Sequence, residues 1–425
     1  MSNFPKQLFF FLTFNLLFFF GNAQNDINSP YSSYGVGNLS PRSNGVLGAM
    51  GGVGYALQNS HYINFKNPAA FAAFDSLSFI GDLSFSVINH QLKTNALELN
   101  GTFAQLDYIA IGLPVMKCWR TSVGIMPYSD IGFGIIDEHY VDSITFRYAG
   151  SGGLQLLYWG NAFKVVKGFT LGLTISYLFG TLNSSNFAEY YDANTFNTVV
   201  TNYRHLDGIV ISGGAQYHIT FKDKHHFSLG AVYENPVKVW SRENLAVLNY
   251  LGEYFPSTSF DTVKYNTGGS AVKSSPRFPQ TFGIGMAYGF KDRALASVDF
   301  TWQNWKQYRM NNTKGSFKDN FIIAAGVQYV PNPVSSKYFK KINFRLGTRI
   351  STGYMIVNGK TISEFAVSCG LGFPIRTFTS NSSVNVMFEY SRLGTQNDNL
   401  ILQNCYRVSF NFILHEKWYQ RRKLE

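Results

Sequence analysis

Apolar and polar residues alternate along most of this chain. From residue 77 onward, every second residue in successive segments is apolar or aromatic, and the residues between them are small or polar. The clearest segment carries Phe169, Leu171, Leu173, Ile175 and Tyr177 on one face. A period of two belongs to a β-strand, whereas a helix repeats about every 3.6 residues. Aromatic residues recur at the segment ends, as they do in transmembrane strands. The pattern therefore predicts an all-β chain.

The alternation divides the chain into fourteen predicted strands. A sheet can cross a bilayer only as a closed barrel, because an open edge would leave backbone groups without partners, and bacterial barrels have even strand counts. We therefore predict a 14-stranded antiparallel transmembrane β-barrel. The alternative, a soluble sandwich or propeller, is disfavoured by the long alternating runs and the lack of a blade repeat. The predicted strands span residues 77–89, 103–114, 118–128, 150–163, 168–181, 207–220, 224–236, 278–290, 293–304, 318–330, 341–352, 362–374, 383–392 and 402–414.

The connections between these segments alternate in length. Residues 115–117 and 291–292 are tight turns, whereas 182–206 and 237–277 are the longest predicted loops. In outer-membrane barrels the short turns face the periplasm and the long loops face the exterior. Both termini are therefore expected in the periplasm.

The composition agrees with a membrane barrel that is exported. Of the 425 residues, 17% are aromatic and only 14% are charged, while soluble proteins carry about a quarter of their residues as charged ones. Residues 1–23 have the basic start, apolar core and small residues before a cleavage point that are typical of a secretory signal peptide. No later stretch is apolar over the length that a membrane-spanning helix needs. The predicted location is the outer membrane of a Gram-negative bacterium.

Residues 24–76 lack the strand pattern and are rich in glycine, most of all from Gly48 to Gly54. A barrel of about fourteen strands has a lumen that its own side chains do not fill, so we predict that this segment folds inward as a plug. The glycine run lacks the flanking strand and helix and the Lys-Ser/Thr ending of a phosphate loop. The predicted organisation is a signal peptide at 1–23, a plug at 24–76, a barrel at 77–414 and a basic periplasmic tail at 415–425.

A plug that contains Asn67, Pro68 and Ala69 ahead of fourteen strands resembles the FadL-type long-chain fatty-acid transporters, in the branch common among Bacteroidota. The residues from 278 to 288 and from 296 to 305 resemble the eighth and ninth strands of that family. The resemblance covers nearly the whole mature chain. It implies that long outer loops catch a hydrophobic ligand, that a pocket above the plug holds it, and that it leaves sideways beside a kinked third strand.

Several residues match the parts of this mechanism. Gly124 and Pro127 interrupt the third strand, and Pro lacks the N–H that a central strand needs, so a kink is predicted there. The tripeptide at residues 67–69 is expected to pack beside that kink. The residues predicted to form a hydrophobic surface that captures the ligand are Trp240, Leu248, Tyr250 and Phe255. The alternative is that these side chains only pack the loops against each other.

Strand parity places Arg345 and Arg349 on one lumen face, with Arg407 also pointing inward. These arginines could bind the carboxylate of a ligand. Alternatively, they could pair with Glu364, Glu389 and Asp299 in a structural lattice.

The leading functional prediction is passive uptake of a hydrophobic or amphipathic small molecule that resembles a long-chain fatty acid. The alternative is a non-transporting structural or docking subunit of an outer-membrane secretion or assembly complex. For that role, the strongly basic periplasmic turns and C-terminal tail would attract an acidic periplasmic or outer-membrane protein. The other expected partners are outer-membrane lipid and the hydrophobic ligand, and export argues against nucleic acid.

Enzymatic activity is not predicted. The sequence has no Gly-x-Ser-x-Gly, His-Glu-x-x-His or Cys-x-x-Cys motif. We therefore predict no catalytic residues, no metal and no cofactor.

Overall fold

Fourteen antiparallel strands form a closed barrel, as the sequence predicts. In the computed structural model, successive strands pair with each other, and the first strand also pairs with the last. The structure describes residues 29–139, 144–192, 194–222, 224–236, 239–252, 261–263, 276–310, 313–314, 317–377 and 380–417. The strands are β1 (Ser78–Lys93), β2 (Glu98–Pro114), β3 (Trp119–His139), β4 (Ile144–Val166), β5 (Phe169–Tyr190), β6 (Asn197–Phe221), β7 (His225–Glu234), β8 (Thr281–Phe290), β9 (Ala294–Gln303), β10 (Asn320–Tyr329), β11 (Asn343–Ser351), β12 (Glu364–Arg376), β13 (Asn381–Leu393) and β14 (Leu402–Lys417).

The wall has an apolar outer surface. On β5, Leu171, Leu173 and Ile175 each expose more than two fifths of their surface, whereas Thr170 before them and Ser176 after them are buried. This alternation is what a strand needs when one face meets lipid and the other meets the lumen. Among the described residues, no helix is both long and apolar enough to cross a membrane.

Strands β2 to β6 are longer than predicted at one end of the barrel. This end, here called the long-loop end, also carries the connection of residues 235–280; the opposite end is the short-turn end. The prediction that residues 182–206 form a loop is wrong for most of that range, because β5 continues to Tyr190 and β6 begins at Asn197. Part of the predicted loop 237–277 is likewise a strand, Val239–Tyr250, which pairs with β6 beyond the end of β7. Outside a membrane both strand faces meet water, so these extensions need not alternate in polarity.

Several short elements decorate the connections. Asp261–Val263 pairs with the strand Val239–Tyr250. The remaining elements outside the N-terminal segment are the strand pair Arg309–Met310 and Thr313–Lys314, the pair Ile356–Val357 and Lys360–Thr361, and 3-10 turns at Trp305–Gln307, Tyr338–Lys341 and Asn397–Asn399.

The N-terminal segment, residues 29–77, contacts strands on all sides of the barrel, among them β2, β4, β7, β11 and β14, and therefore lies within the lumen. It contains 3-10 turns at Pro30–Ser33 and Pro68–Ala73, a two-residue strand at Asn38–Leu39 and one helical turn at Gly45–Gly48. Gly51 has a φ of +73°, and a side chain there would overlap the backbone of Thr348 in β11. The glycine run thus allows close backbone contact between segment and wall.

The seam between β1 and β14 carries a buried polar network. Asp82 of β1 accepts hydrogen bonds from Tyr108 of β2 at 2.8 Å and from Asn411 of β14 at 2.7 Å. The backbone N–H of Ile63, in the N-terminal segment, donates to the same carboxylate at 3.3 Å. Buried polar groups need such partners, so the network fixes the segment against both strands of the seam.

Candidate functional site

A cavity of about 350 Å³ lies in the lumen at the long-loop end of the barrel. Its apolar lining includes Phe103, Tyr128, Trp305, Tyr354 and Met355. Ligand cavities in proteins have volumes of about 300–1,000 Å³ and are mostly apolar with a few placed polar groups. The volume and the aromatic lining suit a small hydrophobic or amphipathic molecule.

The charged groups that line this cavity are mostly paired with each other. Arg42 of the N-terminal segment donates to both carboxylate oxygens of Glu234, at 2.6 and 3.1 Å. Its guanidinium also lies 5.1 Å from the ring centroid of Tyr128. Burial alone would lower the pKa of Arg42, but the Glu234 carboxylate outweighs burial and raises the pKa above its ordinary value. Both members of the pair therefore stay charged, and the ion pair joins the N-terminal segment to β7.

Lys66 is a second cation of the N-terminal segment in the cavity lining. Its Nζ lies 5.2 Å from the ring centroid of Tyr55. Burial lowers the pKa of Lys66, and the carboxylate of Asp299 opposes this shift. The sequence patterns did not single out Lys66 or Arg42, because their segment has no periodicity from which to read a lumen-facing position.

The three predicted head-group arginines have different surroundings. Arg349 lines the cavity and donates to Glu364 at 2.9 Å and to Glu389 at 3.3 Å. Arg407 also lines the cavity, opposite Glu389 in the β13–β14 register, and its Nε has no hydrogen-bond partner among the described residues. Arg345, by contrast, does not line the cavity.

The partners of Arg345 correct part of the predicted lattice. Its guanidinium donates to Gln328 at 2.7 Å and to Asn385 at 2.9 Å, both of which are uncharged. Asp299, predicted to pair with an arginine, instead accepts from the backbone N–H groups of Gly54 at 2.7 Å and Tyr55 at 3.1 Å. Strand parity identifies inward-facing residues, but the choice of partner depends on the folded N-terminal segment.

The wall is interrupted between β2 and β3. These strands pair only from Ile109 opposite Ile125 to Pro114 opposite Arg120, at the short-turn end. Beyond Ile125, β3 pairs with β4 alone on the wall, and a bulge lies between Pro127 and Ser129. Pro127 has no N–H to donate, so the ladder ends where the sequence predicts a kink.

The N-terminal segment occupies the free edge of β3. Its strand Asn38–Leu39 pairs with Ser129 and Asp130, and the N–H of Ser40 donates to the carbonyl of Tyr128 at 3.0 Å. A space of about 20 Å³ beside the interruption is lined by Pro127 and by Gln105 of β2. That volume holds about one water molecule. The described residues therefore leave no open path from the lumen cavity to this part of the wall.

The predicted plug tripeptide lies elsewhere. Asn67 caps the turn Pro68–Ala73, its Oδ1 accepting from the N–H of Ala69 at 3.0 Å, and its Nδ2 donates to the carbonyl of Ala215 in β6 at 3.2 Å. Gly172 of β5 leaves room for the backbone of Pro68 and Ala69. The expected contact with Gly124 and Pro127 is thus wrong. The proline ring and the small alanine fit a crevice between β5 and β6, two strands from the kink.

The chain matches the family model described as BamG over residues 6–425. The chain belongs to the BamG family. No curated protein matches it in sequence.

The barrel of this BamG-family protein is similar in fold to solved structures of a hydrocarbon channel, a toluene transporter and a FadL homologue. The CymD monoaromatic hydrocarbon channel has a TM-score of 0.58 at 14% identity, covering 91% of this chain and 99% of that one. The Ralstonia pickettii toluene transporter TbuX has a TM-score of 0.58 at 13% identity, covering 91% and 100%. A Pseudomonas aeruginosa FadL homologue has a TM-score of 0.57 at 12% identity, covering 90% and 100%. The FadL-type fold is thereby confirmed, while the Bacteroidota branch stays a prediction.

The predicted capture residues of the BamG-family barrel do not form one surface. Trp240 exposes 58% of its surface, whereas only 1% of Tyr250 is exposed. Tyr250 packs with Phe187 and Val199, and Leu248 packs against the same cluster. Phe255 lies outside the described residues. For Tyr250 and Leu248 the structure therefore favours the alternative of packing between neighbouring strands.

Proposed function

We propose that this BamG-family barrel is a passive outer-membrane channel for a hydrophobic or amphipathic small molecule, and that the molecule leaves sideways between β2 and β3. The observation that carries the proposal is the missing ladder between the long-loop halves of these two strands. An unpaired strand edge inside a bilayer costs free energy unless something covers it. Because β2 and β3 are not hydrogen-bonded to each other in these halves, they can separate there without breaking a ladder.

The chemistry of the cavity supports a weakly charged ligand. Arg349 and Arg42 already have carboxylate partners, so they offer little charge to a ligand. The aromatic lining binds apolar groups, and two lining cations, Lys66 and Arg407, have no carboxylate at ion-pair distance among the described residues and so can face a ligand carboxylate. The relatives described as channels for monoaromatic hydrocarbons and toluene agree with this ligand class. A long-chain fatty acid, the ligand predicted from the sequence, is likewise a largely apolar molecule that carries at most one charge.

The movable part of the route is the stretch Asn38–Ser43, which lies against the β3 edge. Ser40, Pro41 and Ser43 line both the lumen cavity and the small space beside Pro127. A shift of this stretch would join the two spaces and uncover the interruption. The rest of the N-terminal segment would act as the plug that blocks straight passage through the lumen.

Uptake by purified protein in liposomes with lipopolysaccharide in the outer leaflet tests the proposal, because toluene and oleate dissolve in and cross a plain phospholipid bilayer unaided. Radiolabelled toluene and oleate should enter protein-containing liposomes faster than empty ones, while glucose should enter both equally slowly. Equal entry of toluene and oleate into both kinds of liposome would contradict a channel for hydrophobic molecules.

A second candidate function is docking, favoured by the connection between β10 and β11 at the short-turn end. In it, Val334 and Phe339 expose 89% and 79% of their surfaces beside Lys337, Lys340 and Lys341. Exposed apolar side chains among cations mark protein or membrane contacts. If this connection docks an acidic protein, Val334→Ser with Phe339→Ser should abolish co-purification of that protein in mild detergent and leave toluene uptake unchanged. Unchanged co-purification would contradict docking at this connection.

A further inference from the structure

Three potential metal ligands converge where the N-terminal segment joins the wall. They are His61 and Asp75 of the segment and His415 near the end of β14. Their ligand atoms all lie within 4.8 Å of one another, and Nε2 of His415 is 3.6 Å from Oδ2 of Asp75. The rings of His61 and His415 meet edge to face, with centroids 5.0 Å apart. None of the three residues lines the lumen cavity.

The buried ring of His415 makes no hydrogen bond to any described residue. None of its surface is exposed, and neither ring nitrogen has a hydrogen-bond partner among the described residues. Its backbone N–H, by contrast, donates to Oγ of Ser382 at 3.2 Å. An unsatisfied buried polar group costs free energy, so an unpartnered imidazole directed at a second histidine and a carboxylate points to a ligand.

We propose that His61, Asp75 and His415 bind a divalent transition metal, Zn²⁺ by preference. Two imidazoles and one carboxylate form a donor set that Zn²⁺ accepts in tetrahedral sites, with water as the fourth ligand. Bonds of about 2.0–2.2 Å place tetrahedral ligands about 3.4 Å apart, so small movements of the three side chains complete the site. The side chain of Asp75 is 42% exposed, which gives the ion a path from solvent.

A metal here would tie the N-terminal segment to the seam of the barrel. His415 lies opposite Ile80 in the β1–β14 register, and Asp75 lies three residues before β1 begins. Binding to the folded state alone would stabilise both the closed seam and the position of the segment. The competing arrangement is a protonated His415 paired directly with Asp75, which needs no metal.

Metal titration of the full-length barrel, stripped with EDTA and kept in detergent, tests the site. Zn²⁺ should bind with a stoichiometry of one in calorimetry, and Co²⁺ should give the visible absorption of a tetrahedral complex. His61→Gln and Asp75→Asn should each weaken Zn²⁺ binding at least about tenfold, since even outer-shell changes cost that much at metal sites. His61 and Asp75 are partly exposed, so these variants keep the test independent of whether His415→Gln folds.

The matched control is His226→Gln, which removes a histidine of the β6–β7 hairpin that lies near Asp292. It should bind Zn²⁺ as the unaltered protein does. Three outcomes would overturn the proposal: no Zn²⁺ binding by the unaltered protein, equal binding by the His61 and Asp75 variants, or loss of binding in the His226 control. Folding of each variant is checked by heat-modifiable migration on gels.

Discussion

The guanidinium of Arg42 is held by both carboxylate oxygens of Glu234, which joins the N-terminal segment to the long-loop end of β7. The side chains are 31% and 12% exposed. Removing one member of a buried pair leaves the other charge without compensation. Because this pair is only partly buried, we expect Arg42→Ala to destabilise the barrel by about 2 kcal/mol, less than the full cost of a buried pair. Thermal unfolding in detergent measures the change.

The matched control for this prediction is Lys93→Ala, which breaks the more exposed pair between Lys93 and Glu98, whose side chains are 31% and 48% exposed. Exposed pairs contribute about 0–1 kcal/mol. A loss of stability in Arg42→Ala no larger than in Lys93→Ala would show that the lumen pair does not hold the segment.

A disulfide should close the lateral route. Leu39 lies opposite Ser129 in antiparallel register, and such positions have Cα separations of about 4.5–5.5 Å, which suit a disulfide. In a background with Cys118, Cys369 and Cys405 changed to Ser, Leu39→Cys with Ser129→Cys should reduce toluene entry into liposomes to the level of empty liposomes. A reductant should restore it.

The control disulfide joins strands that are already paired. Ile111 lies opposite Val123 in the intact part of the β2–β3 ladder. Ile111→Cys with Val123→Cys should form the bond and leave entry unchanged. If toluene entered as fast with the Leu39–Ser129 disulfide formed as it does after treatment with a reductant, that result would contradict movement of the Asn38–Ser43 stretch.

Substitution at Gly172 should displace the N-terminal segment. A Cβ atom there would overlap the backbone of Pro68 and Ala69, whereas nothing lies within 4 Å of a Cβ atom at Gly213. We expect Gly172→Ala to cost about 1–3 kcal/mol through overpacking, with faster proteolysis within residues 29–77. Gly213→Ala should change neither stability nor proteolysis. Equal behaviour of the two variants would contradict the packing of the tripeptide on β5.

Arg349 and Arg407 should have different roles, one in stability and the other in ligand binding. Arg349→Ala leaves Glu364 and Glu389 without their shared partner, so we expect a lower melting temperature and little change in oleate binding. Arg407→Ala should weaken oleate binding and leave toluene binding unchanged, because only the fatty acid carries a carboxylate. Binding of both ligands is measured by calorimetry. Weaker oleate binding in Arg349→Ala alone would instead assign the carboxylate to Arg349.

Two aromatic residues of the strand Val239–Tyr250 should behave differently. Trp240 is mostly exposed, so Trp240→Ala should slow toluene entry at low concentration without changing stability. Tyr250 is buried and its hydroxyl donates to Glu189 at 2.7 Å. Tyr250→Ala should lower the melting temperature, as loss of a buried aromatic side chain commonly costs about 3–5 kcal/mol. A rate of entry unaffected by Trp240→Ala would remove it from the capture surface.

The membrane part of the fold could be predicted from sequence because lipid and lumen impose opposite demands on neighbouring residues. Leu171, Leu173 and Ile175 all face outward, as their spacing predicts. The strand ends were underestimated where that contrast disappears, as in β6, which begins at Asn197 and not at residue 207. Beyond the bilayer, pairing between backbones continues without a side-chain pattern to reveal it.

The candidate site was predictable only where it depends on one strand at a time. The interruption at Pro127 follows from the chemistry of proline, and the inward direction of Arg349 follows from parity. The pairing of Arg42 with Glu234 joins residues 192 positions apart. Such a contact depends on how an aperiodic segment folds inside a closed wall, which no local pattern contains.

The network around Asp82 couples the closed seam of the barrel to the position of the N-terminal segment. This carboxylate contacts the N-terminal segment through Ile63 and the last strand through Asn411. The segment precedes all fourteen strands in the sequence, yet it is enclosed by them. The β1–β14 seam therefore has its full set of hydrogen bonds only when the N-terminal segment is in place, so a barrel without the segment would be closed by a seam with a buried carboxylate that lacks one of its partners.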